Sequence, residues 1–171
     1  MYHITWLCLT FFSFLAFPAS ASHQITYFQG NKAGAVSSTF DDGYKTQLQN
    51  GLPVLNIRNV KGTFFTITDS SWMAGTGHLN WGELLTIAGY GHEVGSHTRS
   101  HSDLTTLDQA SMLAELTNSQ SEINSNIWVQ SCVSLAYPYG NSNAQVQAAA
   151  SSYYVAARGT WVPEGGLLNH Y

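Results

Sequence analysis

STFDDG, residues 38–43, is the stretch whose reading decides the fold, because it sets two adjacent carboxylates at the end of an apolar run. An aspartate is seldom buried unless it is paired, hydrogen-bonded or bound to a metal, so Asp41 and Asp42 need a chemical reason. Ala35 to Phe40 is rich in small and β-branched residues and predicts a strand, and Gly43 permits the tight exit into a helix. Both aspartates then stand at the C-terminal tip of that strand, the edge of α/β architectures where sites collect. Neighbouring carboxylates repel unless one is protonated or a cation lies between them. A metal on one, with the other free as a base, resolves the conflict.

The chain has 171 residues, room for one domain with a sizeable core. Residues 1–21 read as a secretory signal peptide. Trp6 to Phe17 is almost continuously apolar and short for a bilayer span, and Ala19-Ser20-Ala21 offers a small-residue cleavage site. The competing reading is an uncleaved N-terminal anchor. Residues 22–171 are left as the functional domain, expected outside the cell or in its wall, as a monomer and free of the membrane.

Removal of Cys8 leaves Cys132 as the single mature cysteine. It is buried and inert, paired with another chain, or deprived of a partner by an incomplete sequence. Charged residues make up 9% of the chain and the net charge is -4, with no basic run, which argues against nucleic acid or an anionic membrane as partner. Five Trp and nine Tyr on so weakly charged a chain suit a neutral, hydroxyl-rich ligand, although core packing accounts for most aromatics.

Further along, Tyr44 to Ile57 has helical spacing broken by Gly51 and Pro53, which predicts a kinked or two-piece helix. Gly62 to Ile67 reads as strand two, and Asp69 to Gly77 as a loop. Asn80 with Glu83 forms a capping box for a helix through Ala88. His92 to Ser96 reads as strand three. A helix capped by Thr106 or Asp108 follows, with Leu107, Ala110, Leu113, Leu116, Ile123 and Ile127 near one face. Cys132 to Tyr137, a short Ala-rich helix over residues 144–152, and Tyr154 to Ala157 complete the series. Strands alternating with helices through short connections predict an α/β fold with a parallel sheet. Five or six strands cannot close an eight-stranded barrel, so the expectation is an incomplete, distorted (β/α) barrel.

Strand one ends in Asp41-Asp42, strand three in His97 and His101, strand four in Tyr137-Pro138-Tyr139, and in a parallel sheet these ends share one edge. Two His four residues apart can reach one ion if their loop takes a single helical turn. Imidazole nitrogen and carboxylate oxygen suit Zn²⁺, which lowers the pKa of a water toward 7. A bland reading, two capping or surface His, competes for the pair taken alone. His92-Glu93 imitates the start of a His-Glu-x-x-His helix, but the next His comes one residue too late and Gly95 disfavours a helix.

TFDDG at 39–43, GTFF at 62–65, GHEVGSHTRSH at 91–101 and AYPYG at 136–140 occur in the order found in the polysaccharide deacetylases of carbohydrate esterase family four, which the chain resembles. The resemblance implies a distorted, incomplete (β/α) barrel that removes acetyl groups from chitin, peptidoglycan, xylan or related polymers. It implies Asp41 as catalytic base, Asp42, His97 and His101 as ligands of a divalent metal, most simply Zn²⁺, and Tyr139 as the residue whose backbone N–H meets the oxyanion.

Three departures stand out. Tyr137 stands where many members carry an arginine that orients the base, leaving the control of Asp41 open. Arg158-Gly159-Thr160-Trp161 lies near the family's Asp and Trp motif but lacks the Asp. Leu168-Asn169-His170 spells the later Leu-x-His motif yet follows strand five closely, so the C-terminal part of the domain is expected to be missing and His170 is only a weak candidate for the general acid. The leading expectation is a secreted, metal-dependent deacetylase of an N-acetylated polysaccharide such as chitin. The alternatives are an inactive carbohydrate-binding relative and an O-acetyl esterase acting on acetylxylan.

Overall fold

The computed structural model describes residues 34–160, and from Val36 onward these belong to one compact unit. The N-terminal apolar segment, its cleavage site, Trp161 and His170 lie outside the described residues. Five strands, β1 (Ser38–Phe40), β2 (Gly62–Thr66), β3 (Glu93–Ser96), β4 (Ser134–Ala136) and β5 (Ala156–Arg158), lie side by side in sequence order. Every neighbouring pair is parallel. The result is a curled half-barrel with helices on its crossovers, as the strand-helix alternation predicts. Among the described residues no helix is long and apolar enough to cross a membrane.

Alternation along the strands separates two faces. Phe64, Val94 and Leu135 are fully buried against Leu84 and Ile87 of α3 (Trp81–Gly89) and Leu116 and Ile123 of α4 (Gln109–Asn126). Each such side chain contributes about 1.5–3 kcal/mol on leaving water. The other face is partly polar. Thr63 Oγ1 and Ser134 Oγ both donate to the Glu93 carboxylate, at 2.8 and 2.6 Å, tying three strands together. Gly95 belongs to this crowded face, since a Cβ there would meet the Phe65 ring and Ser134 Oγ at 2.6 Å.

The two-piece helix is present, as a π-helical turn (Gln47–Gly51) running into α1 (Leu52–Ile57), with Pro53 in the first turn where its missing N–H costs nothing. Asn80 and Glu83 cap α3 reciprocally. The stretch read as a loop after Asp69 contains the short helix α2 (Ser70–Met73), whose first turn is held by Asp69 accepting from Ser71 N. Asp108 is the cap of α4. Its buried stripe is Met112, Leu116, Ser119 and Ile123, whereas Ala110 is exposed. Ser119 belongs inside because its hydroxyl hydrogen-bonds Ser96 Oγ at 2.7 Å.

Strand five begins two residues later than its apolar run suggests. Tyr154 is buried in the preceding turn, its hydroxyl donating to Leu116 O at 2.7 Å, so a side chain that looks like strand packing is an anchor beneath α4. The ladder with β4 pairs Ser134 with Ala156 and Ala136 with Arg158, which makes Arg158 the last residue of β5. After α5 (Ala144–Ala150), this shift is the one with consequences for the site. Cys132 is buried and free, and burial pushes its thiol up to about 12, in keeping with the inert reading.

Candidate active site

Asp42 leaves β1 with φ 67, and this left-handed step turns its carboxylate toward the end of β3. Trp72 on α2 fixes the step from outside, its indole N–H donating to Asp42 O at 2.9 Å. Asp42 Oδ1 lies 3.4 Å from His97 Nε2 and 3.4 Å from His101 Nε2. The two imidazoles come together without the helical turn expected from their spacing. Instead Thr98 and His101 adopt φ 64 and φ 62, folding the loop back on itself. Such conformations in non-glycine residues cost about 1–3 kcal/mol each and persist only where the surroundings enforce them.

The surroundings do so here. Ser96 Oγ, itself bonded to Ser119, accepts from Thr98 N at 3.1 Å, and Thr98 Oγ1 accepts from His101 N at 3.1 Å. Glu115 on α4 accepts from the backbone N–H of Arg99 and Ser100 at 2.9 and 2.8 Å, and from Ser100 Oγ at 2.6 Å. Glu115 is thus a clamp on the histidine loop.

His97 is 3% exposed. Its Nδ1 is 2.7 Å from Ala136 O, a contact that only a protonated Nδ1 can make, leaving the Nε2 lone pair for the cluster. Burial holds its pKa below the ordinary value, against the opposing pull of that hydrogen bond and the nearby aspartates, so the ring is kept in the neutral form that a metal needs. Candidate ligand atoms of Asp42, His97 and His101 all lie within 4.8 Å of one another. A tetrahedral zinc with bonds near 2.0–2.1 Å has ligand-to-ligand edges of about 3.4 Å, the separation Asp42 keeps from both rings. Donor type, tautomer and spacing therefore fit a divalent ion held by these three residues.

Asp41 and Tyr139 border the cluster. Asp41 accepts from Arg158 Nη2 through its Oδ1 and, through its backbone oxygen, from Gln47 Nε2. Tyr139 sits in the Pro138–Gly140 turn with φ 59, its exposed ring edge-on to His101 at 4.7 Å. The structure thus brings together all five residues singled out from the sequence. It adds Arg158, Glu115 and Trp72. Trp81 packs at the core's margin, and with Arg99 and Glu122 it lines a separate cleft of about 430 Å³ that contains none of the five.

The polysaccharide deacetylase family model matches residues 29–157, a span that holds every one of these five residues. The chain belongs to the polysaccharide deacetylase family. It is 30% identical over 148 residues to the putative polysaccharide deacetylase YxkH of Bacillus subtilis, covering 86% of this chain and 52% of that protein. It is 34% identical over 87 residues to a chitin deacetylase of Pestalotiopsis, covering 51% of this chain and 28% of the relative. The chain spans about half or less of the length of the curated relatives it matches. In fold it is similar to the Streptococcus pyogenes deacetylase PplD in complex with acetate, with a TM-score of 0.70 and 22% identity over 78% of this chain and 61% of that one. The match to the polysaccharide deacetylase model stops one residue short of Arg158.

Proposed function

We propose that this polysaccharide deacetylase removes N-acetyl groups from a secreted or wall polymer of the chitin type, using a divalent cation, Zn²⁺, held by Asp42, His97 and His101. The observation that carries the reading is the convergence of those three donors with a separate carboxylate, Asp41, beside them. The likeness to chitin deacetylases and the weakly charged, aromatic-rich composition support a neutral N-acetylated sugar as substrate. The apolar segment and small-residue site at the N-terminus support export to where such polymers lie.

When bound, the cation polarises the acetyl carbonyl and makes water more acidic. Asp41 acts as general base on the attacking water, with Oδ1 held by Arg158 and the other oxygen left to take the proton. The backbone N–H of Tyr139, fixed in its left-handed turn, is the donor assigned to the charge that grows on the carbonyl oxygen. Water adds to the carbonyl carbon, the C–N bond breaks, and acetate and a free amine leave. The proton Asp41 gains returns to the departing nitrogen, and water's second proton stays on the new carboxyl group until it is lost to solvent as acetate forms.

Acetate release tests the reading. Chito-oligosaccharide incubated with the zinc-loaded protein is expected to yield acetate, and chelator-treated protein to yield none until zinc is restored. Absence of acetate from chito-oligosaccharide, peptidoglycan and acetylxylan alike, at saturating zinc, would overturn it. Faster release from acetylxylan would move the substrate from amide to ester.

A further inference from the structure

Arg158 reaches Asp41 from 117 residues away in sequence, its guanidinium held between that carboxylate and an aromatic ring. Its guanidinium carbon lies 5.1 Å from the Phe65 ring centroid, stacked over an aromatic of β2. Only 19% of the side chain is exposed, and Nε is buried with no hydrogen-bond partner among the described residues. A surface ion pair would leave that N–H in water. Here most of the group is withdrawn from water, and among the described residues its hydrogen bond goes to Asp41 Oδ1. The other described cations with polar contacts on this unit look elsewhere, Lys45 to Glu83, Arg99 to Asp69 and Glu122, and Lys61 to Tyr90 O.

The backbone that follows leans on a second part of the site. Tyr137 N donates to Arg158 O at 2.9 Å, which locks the end of β5 to the start of the Tyr139 turn. A Cβ on Gly140, which has φ +74, would fall 2.6 Å from Thr160 N, and one on Gly159 would fall 2.8 Å from Gly140 O. Backbone meets backbone with no room for a side chain at either glycine.

We propose that Arg158–Thr160 is a brace that fixes base and oxyanion turn relative to each other, with Arg158 as the positioning residue for Asp41 and Gly159-Thr160 as the backing of Tyr139-Gly140. The proposal rests on the functional reading above. It assigns to β5 a duty that the metal-ligand motifs do not contain. Lysine would not replace Arg158, because a compact ammonium cannot stack on Phe65 and reach Asp41 with a planar fork.

The test compares Arg158→Ala, Arg158→Lys and Gly159→Ala in the full chain, loaded with zinc. Arg158→Ala is expected to lower kcat about 10–100-fold, the usual loss when a partner of a site residue is removed, with KM, zinc affinity by calorimetry and Tm little changed. Guanidinium added at tens of millimolar is expected to restore part of the kcat of Arg158→Ala, and none of that of Gly159→Ala, whose fault lies in the turn. Arg158→Lys is expected to remain closer to the Ala variant than to wild type. Undiminished kcat in Arg158→Ala, or a loss that follows zinc affinity or Tm and ignores guanidinium, would overturn the proposal. A wild-type protein that releases no acetate defeats the functional reading alone. The ¹⁵N signals of the Arg158 guanidinium must still shift on Asp41→Asn, and their constancy would remove the contact on which the brace depends.

Discussion

The two sides of this site are built on different principles. On the side proposed to hold the metal, Asp42, His97 and His101 come from the ends of β1 and β3, and the two histidines belong to one short loop stapled to α4 through Glu115 and the Ser96–Ser119 bond. On the side of the proposed base, Asp41 is held by a residue from the far end of the sheet, and the turn carrying Tyr139 is backed by the segment that follows the same strand. The metal side is local and over-determined. The base side depends on β5 arriving in register, so damage to either side should separate cleanly into loss of metal and loss of catalysis with metal retained.

The largest effect should come from the metal side. Asp42→Ala or His101→Ala is expected to abolish measurable zinc binding by calorimetry and, with it, acetate release, by about 10³-fold or more, because the polarising cation is gone. Asp41→Asn should break the symmetry between the two aspartates. It is expected to keep zinc affinity near wild type while kcat falls about 10²–10⁴-fold, the range for removal of a general base. If Asp41→Asn lost zinc as Asp42→Ala does, the division of labour would be wrong.

Glu115→Ala probes whether the histidine loop is as over-determined as it looks. It strips three hydrogen bonds from Arg99 and Ser100, and is expected to weaken zinc about 10–100-fold without touching any ligand. Unchanged affinity would mean that the Ser96–Ser119 bond suffices.

The smallest effect concerns pH and contrasts His92 with the metal pair. His92 Nδ1 accepts from Gly62 N at 3.1 Å, so the ring is neutral with Nε2–H directed to Asn56 Oδ1 at 3.0 Å. Burial, and then the charge of Lys61, hold its pKa below the ordinary 6.5. The folded state therefore resists a proton that the unfolded chain accepts. The stability from the neutral ring is fully present above pH 6.5 and is lost as pH falls through that value toward the lower folded pKa. Metal-free His97, also depressed by burial, acts in the same direction. The Tm of zinc-free protein is expected to drop between pH 7 and 5, and His92→Gln to reduce the slope without abolishing it. A Tm independent of pH over that interval would contradict both assignments.

What could be read from the sequence follows the same division. Paired carboxylates after a strand and two histidines four apart are visible because the chemistry demands those residue types at short spacing. Parallel topology is visible because strands and helices alternate with short connections. The mode by which His97 and His101 meet was not legible, since Thr98 is β-branched and disfavours the left-handed backbone it adopts, and a histidine at positive φ is too uncommon to be read from sequence. Arg158 was hidden by Tyr154, whose burial comes from a hydroxyl bond to α4 and makes the apolar run look like a strand two residues too early. Its true place is set by pairing with Ala136, a contact between positions that share no motif. Glu115 was hidden because a helix glutamate beside polar neighbours looks like a solvated face until the loop it holds is in place.

The central claim is a single cation on Asp42, His97 and His101 with Asp41 outside its coordination. Anomalous diffraction at the zinc edge from a zinc-soaked crystal tests it directly. One peak about 2.0–2.2 Å from an Asp42 oxygen and from both Nε2 atoms, with Asp41 still on Arg158, is the result expected. A peak bridged by both aspartates, or none at this site, would contradict it.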